Sequence, residues 1–523
     1  MYVKRPLLNL LLCIAMFSAL LSIWVTQREM WDGVYVEYAF KTLDMSGLLH
    51  GANASGWPIA GWIYKLQLTL QEFFHFPYWL FVDIAYTAAM MGIAYEVFSL
   101  ARWQLKLSQS ICIQVVILFL AQPIWHLLMS GVHLIHIVGF WFLLLGHRLS
   151  YSQSMWRVLA GLVFLTLSFQ FPASFFMVFW LEWIYFVNTK KTGSKACRRA
   201  FAVIGYTFFW YALSRTVFKP VEIYSGYNQV QFPASLDALK SIIWTWMKFA
   251  SWIIGLTSPL WIKALLKHGF QLQPLTRQLK VMWKDGTYKV SPISIALLGC
   301  LIAAVPYIVV GKGPVLIFPF EWTSRHALPL ALPLSILVAL TIPQLCADSD
   351  LHDAQRQERK LLTTMVFVWL SIGVFGLAGK LYQIRLEKAI EASLRNFPAP
   401  ASGLVTLRLP FNPVIRIGPP EVNGIFWRAY GRTEWAVMIG PPDNWVNKIR
   451  QMYVGESPNS LKNIKNPDLW KRFAVIGDLK SFDCETSLRL NLPNGELGVA
   501  AWASWLGWSP FQFSVTLEKT SCP

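Results

Sequence analysis

The feature that most constrains this chain is the recurrence of long apolar runs along its first 380 residues. The runs lie at about 6–25, 78–98, 109–128, 132–147, 157–187, 200–218, 241–262, 291–310, 327–346 and 361–379. A helix needs about 20 apolar residues to cross a bilayer core of roughly 30 Å. The run 157–187 is too long for one upright span and contains Pro172, so we interpret it as two helices. The sequence therefore predicts an α-helical polytopic membrane protein with about 11 transmembrane helices, in contact with membrane lipids.

Composition and charge agree with a membrane location and argue against a nucleic-acid partner. The chain is 55% hydrophobic and 14% charged, with 26 Trp, whereas a soluble domain carries about 25% charged residues. The net charge is +18, but many basic residues fall in short loops between the apolar runs, as in proteins whose topology is set by charge. With the N-terminus in the cytoplasm, 20 Lys and Arg fall in cytoplasmic segments and 7 in the opposite loops. We therefore expect a cytoplasmic N-terminus and an outer C-terminal domain.

The predicted topology divides the chain into two parts of different composition. Residues 1–380 form the transmembrane domain, with a first outer loop at 26–77. Residues 381–523 are polar, rich in Pro and Gly turns, and predict a soluble domain of mixed α and β structure. Cys484 and Cys522 are the cysteines of this outer domain. In an oxidising compartment they predict one disulfide.

The first outer loop carries a cluster of acidic residues directly after the first span. These residues are Glu29, Asp32, Glu37, Asp44 and, further along, Glu72. A carboxylate here can act as a general base on an acceptor hydroxyl, or hold a divalent cation against a phosphate. An ordinary solvated loop is the alternative. The second half of the loop, 57–76, predicts an amphipathic helix that lies on the membrane.

The loop at 311–326 predicts a second candidate site, for a phosphate group. It contains Lys312 and ends in Arg325 and His326, before the tenth span. A helix N-terminus attracts anions, and a guanidinium suits bidentate contact with phosphate. The alternative is that these residues only hold a helix end at the membrane interface.

Two histidines and one buried acid complete the set of candidates. His133 and His136 lie one helical turn apart at the outer end of the fourth span, and Asp83 lies near the outer end of the second. A metal site would need a third ligand, so ordinary packing between helices is the favoured alternative for the histidines. An acid within a span is costly and often functional, which makes Asp83 a candidate for the same site.

The acid-bearing first outer loop, its amphipathic stretch, the eleven spans and the C-terminal outer domain together resemble the GT-C superfamily. These are polytopic glycosyltransferases that use polyprenyl-phosphate sugars. The resemblance implies that Asp32 is the catalytic acid, with Glu29 as the neighbouring candidate, and that Arg325 and Lys312 hold the lipid phosphate. His326, His133 and Asp83 are further substrate-binding candidates. The Asp-Glu pair of the mannosyltransferases and the Trp-Trp-Asp signature of the oligosaccharyltransferases are absent, which favours the bacterial surface-polysaccharide branch.

The function implied by this resemblance is an inverting sugar transfer at the outer face of the bacterial inner membrane, with the C-terminal domain in the periplasm. The donor is a sugar on a polyprenyl phosphate, and the acceptor is a glycan or a lipid, as in O-antigen modification. The need for a divalent metal stays open. Two alternatives remain: a transporter or flippase for a lipid-linked or amphipathic substrate, and a polysaccharide polymerase or ligase. The sequence shows no internal repeat linking two halves, which argues against many transporter folds.

Overall fold

A computed structural model gives the architecture of the chain. The residues that it describes are 5–26, 28–29, 33–43, 45–54, 56, 58–126, 131–169, 173–188, 193–218, 235–268, 291–314, 322–347, 350–401, 403–409, 419–432, 435–439, 485–491 and 513–521. Asp32, Asp44, Cys484 and Cys522 lie outside these ranges.

The described residues are mainly helical. In chain order the helices are α1 Arg5–Thr26, α2 Gly33–Thr42, α3 Ser46–Ala54, α4 Pro58–Phe74, α5 Tyr78–Ser99, α6 Gln109–Ala121, α7 Gly131–Ser150, α8 Met155–Ser168, α9 Ala173–Asn188, α10 Gly193–Thr216, α11 Leu236–His268, α12 Pro292–Ile308, α13 Ala331–Cys346, α14 Leu351–Arg395 and α15 Pro419–Tyr430. Every apolar run of the sequence coincides with one of these helices, and the run 157–187 contains two, α8 and α9. The interpretation of that run as two helices is therefore confirmed.

Six helical segments among the described residues are long and apolar enough to cross a bilayer. They are Pro6–Thr26, Tyr78–Gln104, Gln109–His126, Leu236–Lys267, Arg325–Cys346 and Leu351–Arg395. Three shorter apolar helices accompany them, at Met155–Ser168, Ala173–Val187 and Pro292–Ile308. The predicted polytopic helical fold is confirmed, while the total of eleven spans stays a prediction.

The pattern of exposure fits helices that are surrounded by lipid. Large apolar side chains such as Phe17, Trp156, Phe201 and Phe367 are more than half exposed on the helix surfaces. Apolar surface of this extent is rare on soluble monomers, whereas lipid tails cover it without cost. Helix α6 lies at the centre instead, and the consecutive residues 115–121 are all buried. The core of the membrane part is thus built around α6.

The first outer loop folds into the three helices α2, α3 and α4. Helix α4 buries Ile59, Ile63 and Leu68 against the protein, while Trp62 and Phe73 remain exposed. The predicted helix in the second half of the loop is therefore confirmed. Its placement on the membrane surface stays a prediction.

The C-terminal part of the chain, called the outer domain after its predicted side of the membrane, is a small sheet packed on two helices. Its strands are β1 Gly403–Arg408, β2 Trp435–Ile439, β3 Glu485–Asn491 and β4 Ser514–Ser521, in the order β2-β1-β3-β4. Strand β1 pairs in parallel with β2 and β3, and β4 is antiparallel to β3. Apolar residues of α15 and of the last turns of α14 fill the core against the sheet. The predicted mixed α and β structure is confirmed, and α14 runs without a break from the membrane part to Arg395.

Candidate functional site

Glu29 lies at the centre of the candidate site, just after α1 ends. Its side chain is fully buried at 0% exposure. The hydroxyl of Tyr78, the first residue of α5, donates a hydrogen bond to Glu29 Oε1 at 2.5 Å. A buried carboxylate is tolerated only when hydrogen bonds or opposite charges compensate the loss of water. Tyr78 therefore compensates and orients one of the two carboxylate oxygens of Glu29.

Gly33 gives Glu29 the space that it occupies. A Cβ atom added at Gly33 would lie only 2.0 Å from Glu29 Oε2, so no other residue fits there without displacing the carboxylate. Gly33 is also the first residue of α2, and a negative charge is favourable at a helix N-terminus. In the pair Asp32-Gly33, the glycine leaves room for the Glu29 carboxylate. Asp32 itself lies outside the described residues.

Lys380 is a cation close enough to Glu29 to interact with it electrostatically. It belongs to α14, is only 3% exposed, and interacts electrostatically with Glu29 and with His133. A lysine buried within a membrane helix is costly, and such residues usually pair with an acid or line a functional cavity. Lys380 therefore links the acidic loop to a second group of charged residues.

This second group is cationic and gathers most of the predicted phosphate-binding residues. Arg325 interacts electrostatically with His133 and His326, and Lys312 interacts with His326. Arg325 and Lys312 are partly buried, whereas both histidines are buried. Lys248 of α11 adds a further positive charge beside His326. Residues from four separate parts of the sequence thus form one region of positive charge.

The histidine rings are held by packing on their neighbours. The centroids of His133 and His136 are 6.1 Å apart, and the ring of His326 lies 4.6 Å from that of Tyr307. Among the described residues, His326 Nδ1 has no hydrogen-bond partner although the side chain is 95% buried. A buried ring nitrogen in that state can bind a polar group of a ligand.

The structure keeps Asp83 apart from these charges. Its side chain is 2% exposed in α5, and it has neither an ion pair nor a hydrogen bond within the described part of the chain. Its role in substrate binding stays a prediction. The same holds for the catalytic role of Asp32 and for the disulfide between Cys484 and Cys522, which lie outside the described residues.

A metal centre is not formed by the residues that are described. Within those ranges, no three His, Cys, Asp or Glu side chains come together as metal ligands. His133 and His136 share a helix face, but Lys380 and Arg325 are the charges around them. These cations favour an anionic ligand over a metal ion beside the histidines.

Two arginines connect the acidic loop to the outer part of the protein. Arg28 donates to Glu387 at 3.0 Å and to Glu391 at 2.9 Å, both on α14. Arg428 of α15 pairs with Glu37 of α2. Burial alone would raise the pKa of Glu37, but Arg428, together with Lys41 at 2.7 Å, holds this pKa below its usual value. The loop therefore carries an ionised, buried carboxylate that depends on the outer domain.

Sequence reasoning missed three residues of this site: Tyr78, Lys380 and Lys248. Lys380 carried a usable signal, because it is an isolated lysine directly after a long apolar run. Tyr78 and Lys248 carried none, since an aromatic residue or a lysine at the edge of a span is commonly an interfacial residue.

Fold and site together define a polytopic membrane protein with an acidic loop after its first span, a cationic region and a C-terminal α/β domain. No protein-family model matches the chain, and no curated protein matches it significantly. Among solved structures, it is similar to the crystal structure of ArnT from Cupriavidus metallidurans bound to undecaprenyl phosphate. The match covers 98% of each chain, at 10% identity and a TM-score of 0.47. At this level of similarity the case for function rests on the residues of the site.

Proposed function

We propose that this chain is a membrane glycosyltransferase that moves a sugar from a polyprenyl-phosphate carrier to a hydroxyl group of a glycan or lipid. The observation that carries the proposal is the cationic region next to the acidic loop, in which Lys380 is buried and Arg325 and Lys312 are partly buried. Lys380, Arg325 and Lys312 are brought there from distant parts of the sequence. Buried and partly buried cations near the ends of membrane helices suit a lipid-linked phosphate, whose charge compensates them.

Sugar transfer needs a general base for the acceptor and positive charge for the leaving phosphate, and the site offers residues for both. The acceptor oxygen forms a bond to the anomeric carbon while the bond from that carbon to the phosphate oxygen breaks, with its electron pair staying on the phosphate. The acceptor proton passes to a carboxylate of the loop, which acts as general base. Arg325 and Lys312 stabilise the charge that develops on the leaving phosphate. A single displacement of this kind inverts the anomeric centre.

The surroundings of Glu29 support a division of work between the two candidate acids. Glu29 is fully buried, hydrogen-bonded by Tyr78 and compensated by Lys380. A carboxylate held in this way is suited to fixing the loop rather than to receiving a proton from an acceptor. We therefore assign the general base to Asp32, three residues further along, and a positioning role to Glu29.

Genetic complementation in the source bacterium tests the proposal. We expect deletion of the gene to remove one sugar from a surface glycan or lipid, as measured by mass spectrometry, and the wild-type gene to restore it. Asp32→Asn keeps the shape of the side chain and removes the base, so transfer should fall about 10²–10⁴-fold. Asp44→Asn is the matched control, since it makes the same change in the same loop, and it should restore the sugar.

Several outcomes would count against this function. Full restoration by Asp32→Asn would show that the general base is misassigned. An unchanged surface glycan after deletion of the gene would show that the protein is not this glycosyltransferase. In proteoliposomes, movement of a labelled lipid across the bilayer without sugar transfer would identify a transporter or flippase. A change in glycan chain length, or loss of whole chains, would identify a polymerase or ligase.

A further inference from the structure

One arginine of the outer domain contacts both ends of the segment that carries Asp32. Arg428 Nη2 donates to the main-chain oxygen of Glu29 at 3.4 Å and to the carboxylate of Glu37. The side chains of Arg428 and Glu37 are 9% and 4% exposed. Asp32 lies between these two contact points in the sequence. A single buried side chain of the outer domain therefore contacts the chain on both sides of Asp32 in the sequence.

Apolar contacts also join α2 and α15. A Cβ atom at Gly424 would lie 2.4 Å from Val34 Cγ1, so the glycine allows the two helices to approach closely. The rings of Tyr38 and Trp427 pack edge to face with centroids 5.2 Å apart. These contacts make the junction a packed interface rather than one isolated ion pair.

The charges around this junction are balanced by residues from three elements. Arg428 interacts with Glu37 of α2 and with Glu387 and Glu391 of α14. Glu387 and Glu391 also bind Arg28, which directly precedes Glu29. Glu37 and Glu391 also have partners on their own helices, Lys41 and Arg395. Arg28 and Arg428, however, find their carboxylates on other elements, so a shift of the acidic segment would separate buried charges from their partners.

We propose that the outer domain is a positioning element for the acidic loop, and that Arg428 is the residue through which it acts. This inference rests on the proposed function, because it gives the domain a place in sugar transfer. Arg428 touches the loop and not the reacting atoms, so it is a positioning residue. A general base acts efficiently only when it is held in reach of the acceptor hydroxyl, and a displacement of about 1 Å can cost about 10²-fold in rate.

The test compares Arg428→Gln, Arg428→Lys and the double variant Glu37→Gln/Arg428→Gln in the full-length protein. We expect Arg428→Gln to lower kcat up to about 10²-fold with little change in KM for the donor, since the phosphate-binding residues are untouched. Arg428→Lys should recover part of the rate. The double variant leaves no unpaired buried charge, so it should regain thermal stability while its kcat stays low.

Hydrogen–deuterium exchange of residues 28–43 gives a second readout that does not depend on catalysis. Exchange should rise in Arg428→Gln and remain at the wild-type level in Arg408→Gln. Arg408 is a matched control in the same domain, since it pairs with Glu518 at 3.3 Å on the sheet.

Each result decides the proposal. Recovery of kcat together with stability in the double variant would reduce Arg428 to a structural role and overturn the inference. Unchanged exchange in Arg428→Gln would overturn it as well, whether or not the protein transfers sugar. If exchange rises but the wild-type protein transfers no sugar, the proposed function fails and the positioning role fails with it, while the contact between loop and domain is retained.

Discussion

Replacing Gly33 by alanine should disrupt the candidate site with the smallest possible change. The added methyl group would lie 2.0 Å from Glu29 Oε2 and 3.0 Å from its Cδ. The first of these distances is far below van der Waals contact, so either the carboxylate or the start of α2 must move. Because Glu29 is fully buried, the displacement separates its carboxylate from the Tyr78 hydroxyl.

The size of the effect follows from the bond that is lost. A hydrogen bond to a charged group contributes about 1.5–3 kcal/mol. Alanine is favoured over glycine within a helix by up to about 1 kcal/mol, which offsets part of the loss. We therefore expect Gly33→Ala to lower the free energy of unfolding by about 1–2 kcal/mol.

A double-mutant cycle with Tyr78→Phe separates this mechanism from a general disturbance of the loop. If Gly33→Ala already breaks the Tyr78–Glu29 bond, the double variant should be hardly less stable than Gly33→Ala alone. Unfolding in mixed detergent micelles provides the free energies. Gly205→Ala is the control, because a Cβ at Gly205 meets no atom within 4 Å, and it should be neutral or slightly stabilising.

The reasoning would be refuted by a strictly additive cycle. It would also be refuted if Gly33→Ala were as stable as the wild-type protein, because the space beside Glu29 would then not be limiting.

Three further predictions concern the phosphate site, pH and the disulfide. Arg325→Ala should weaken binding of undecaprenyl phosphate more than Arg325→Lys, because lysine keeps the charge without the bidentate geometry; equal affinity of the alanine variant and the wild type would exclude the role. Burial would raise the pKa of Glu37, but Arg428 chiefly holds this pKa low. The ionised carboxylate of Glu37 therefore stabilises the fold at pH values above the ordinary carboxyl pKa. This stabilisation is lost as the pH falls through the lowered pKa. Thermal unfolding of Glu37→Gln should therefore lack part of the acid-side decline, and an identical pH profile would contradict this. Non-reduced peptide mass spectra should show Cys484 linked to Cys522, and free thiols at both positions would disprove the pair.

The sequence was sufficient for much of the architecture, because hydrophobic periodicity is a local property. The apolar runs predicted the membrane helices, and the length of 157–187 correctly indicated two of them. Lys312, Arg325 and His326 were also predicted as a group, because they share one short loop.

The contacts that complete the site are long-range and leave no local pattern. Arg28 meets Glu387 across 359 residues, and Arg428 meets Glu37 across 391. Each of these residues looks like an ordinary surface charge in the sequence, since only tertiary packing decides which charges become buried together.

The continuity of α14 gives this protein a mechanical property. A helix of 45 residues is a rod of about 68 Å at 1.5 Å per residue. Lys380 and Glu391 sit on the same rod, separated by about 16 Å at that rise. Tilting the rod by about 10° around Glu391 would therefore carry Lys380 through roughly 3 Å, the length of one hydrogen bond. A movement of the outer domain that tilts α14 would thus change the distance between Glu29 and its counter-charge Lys380.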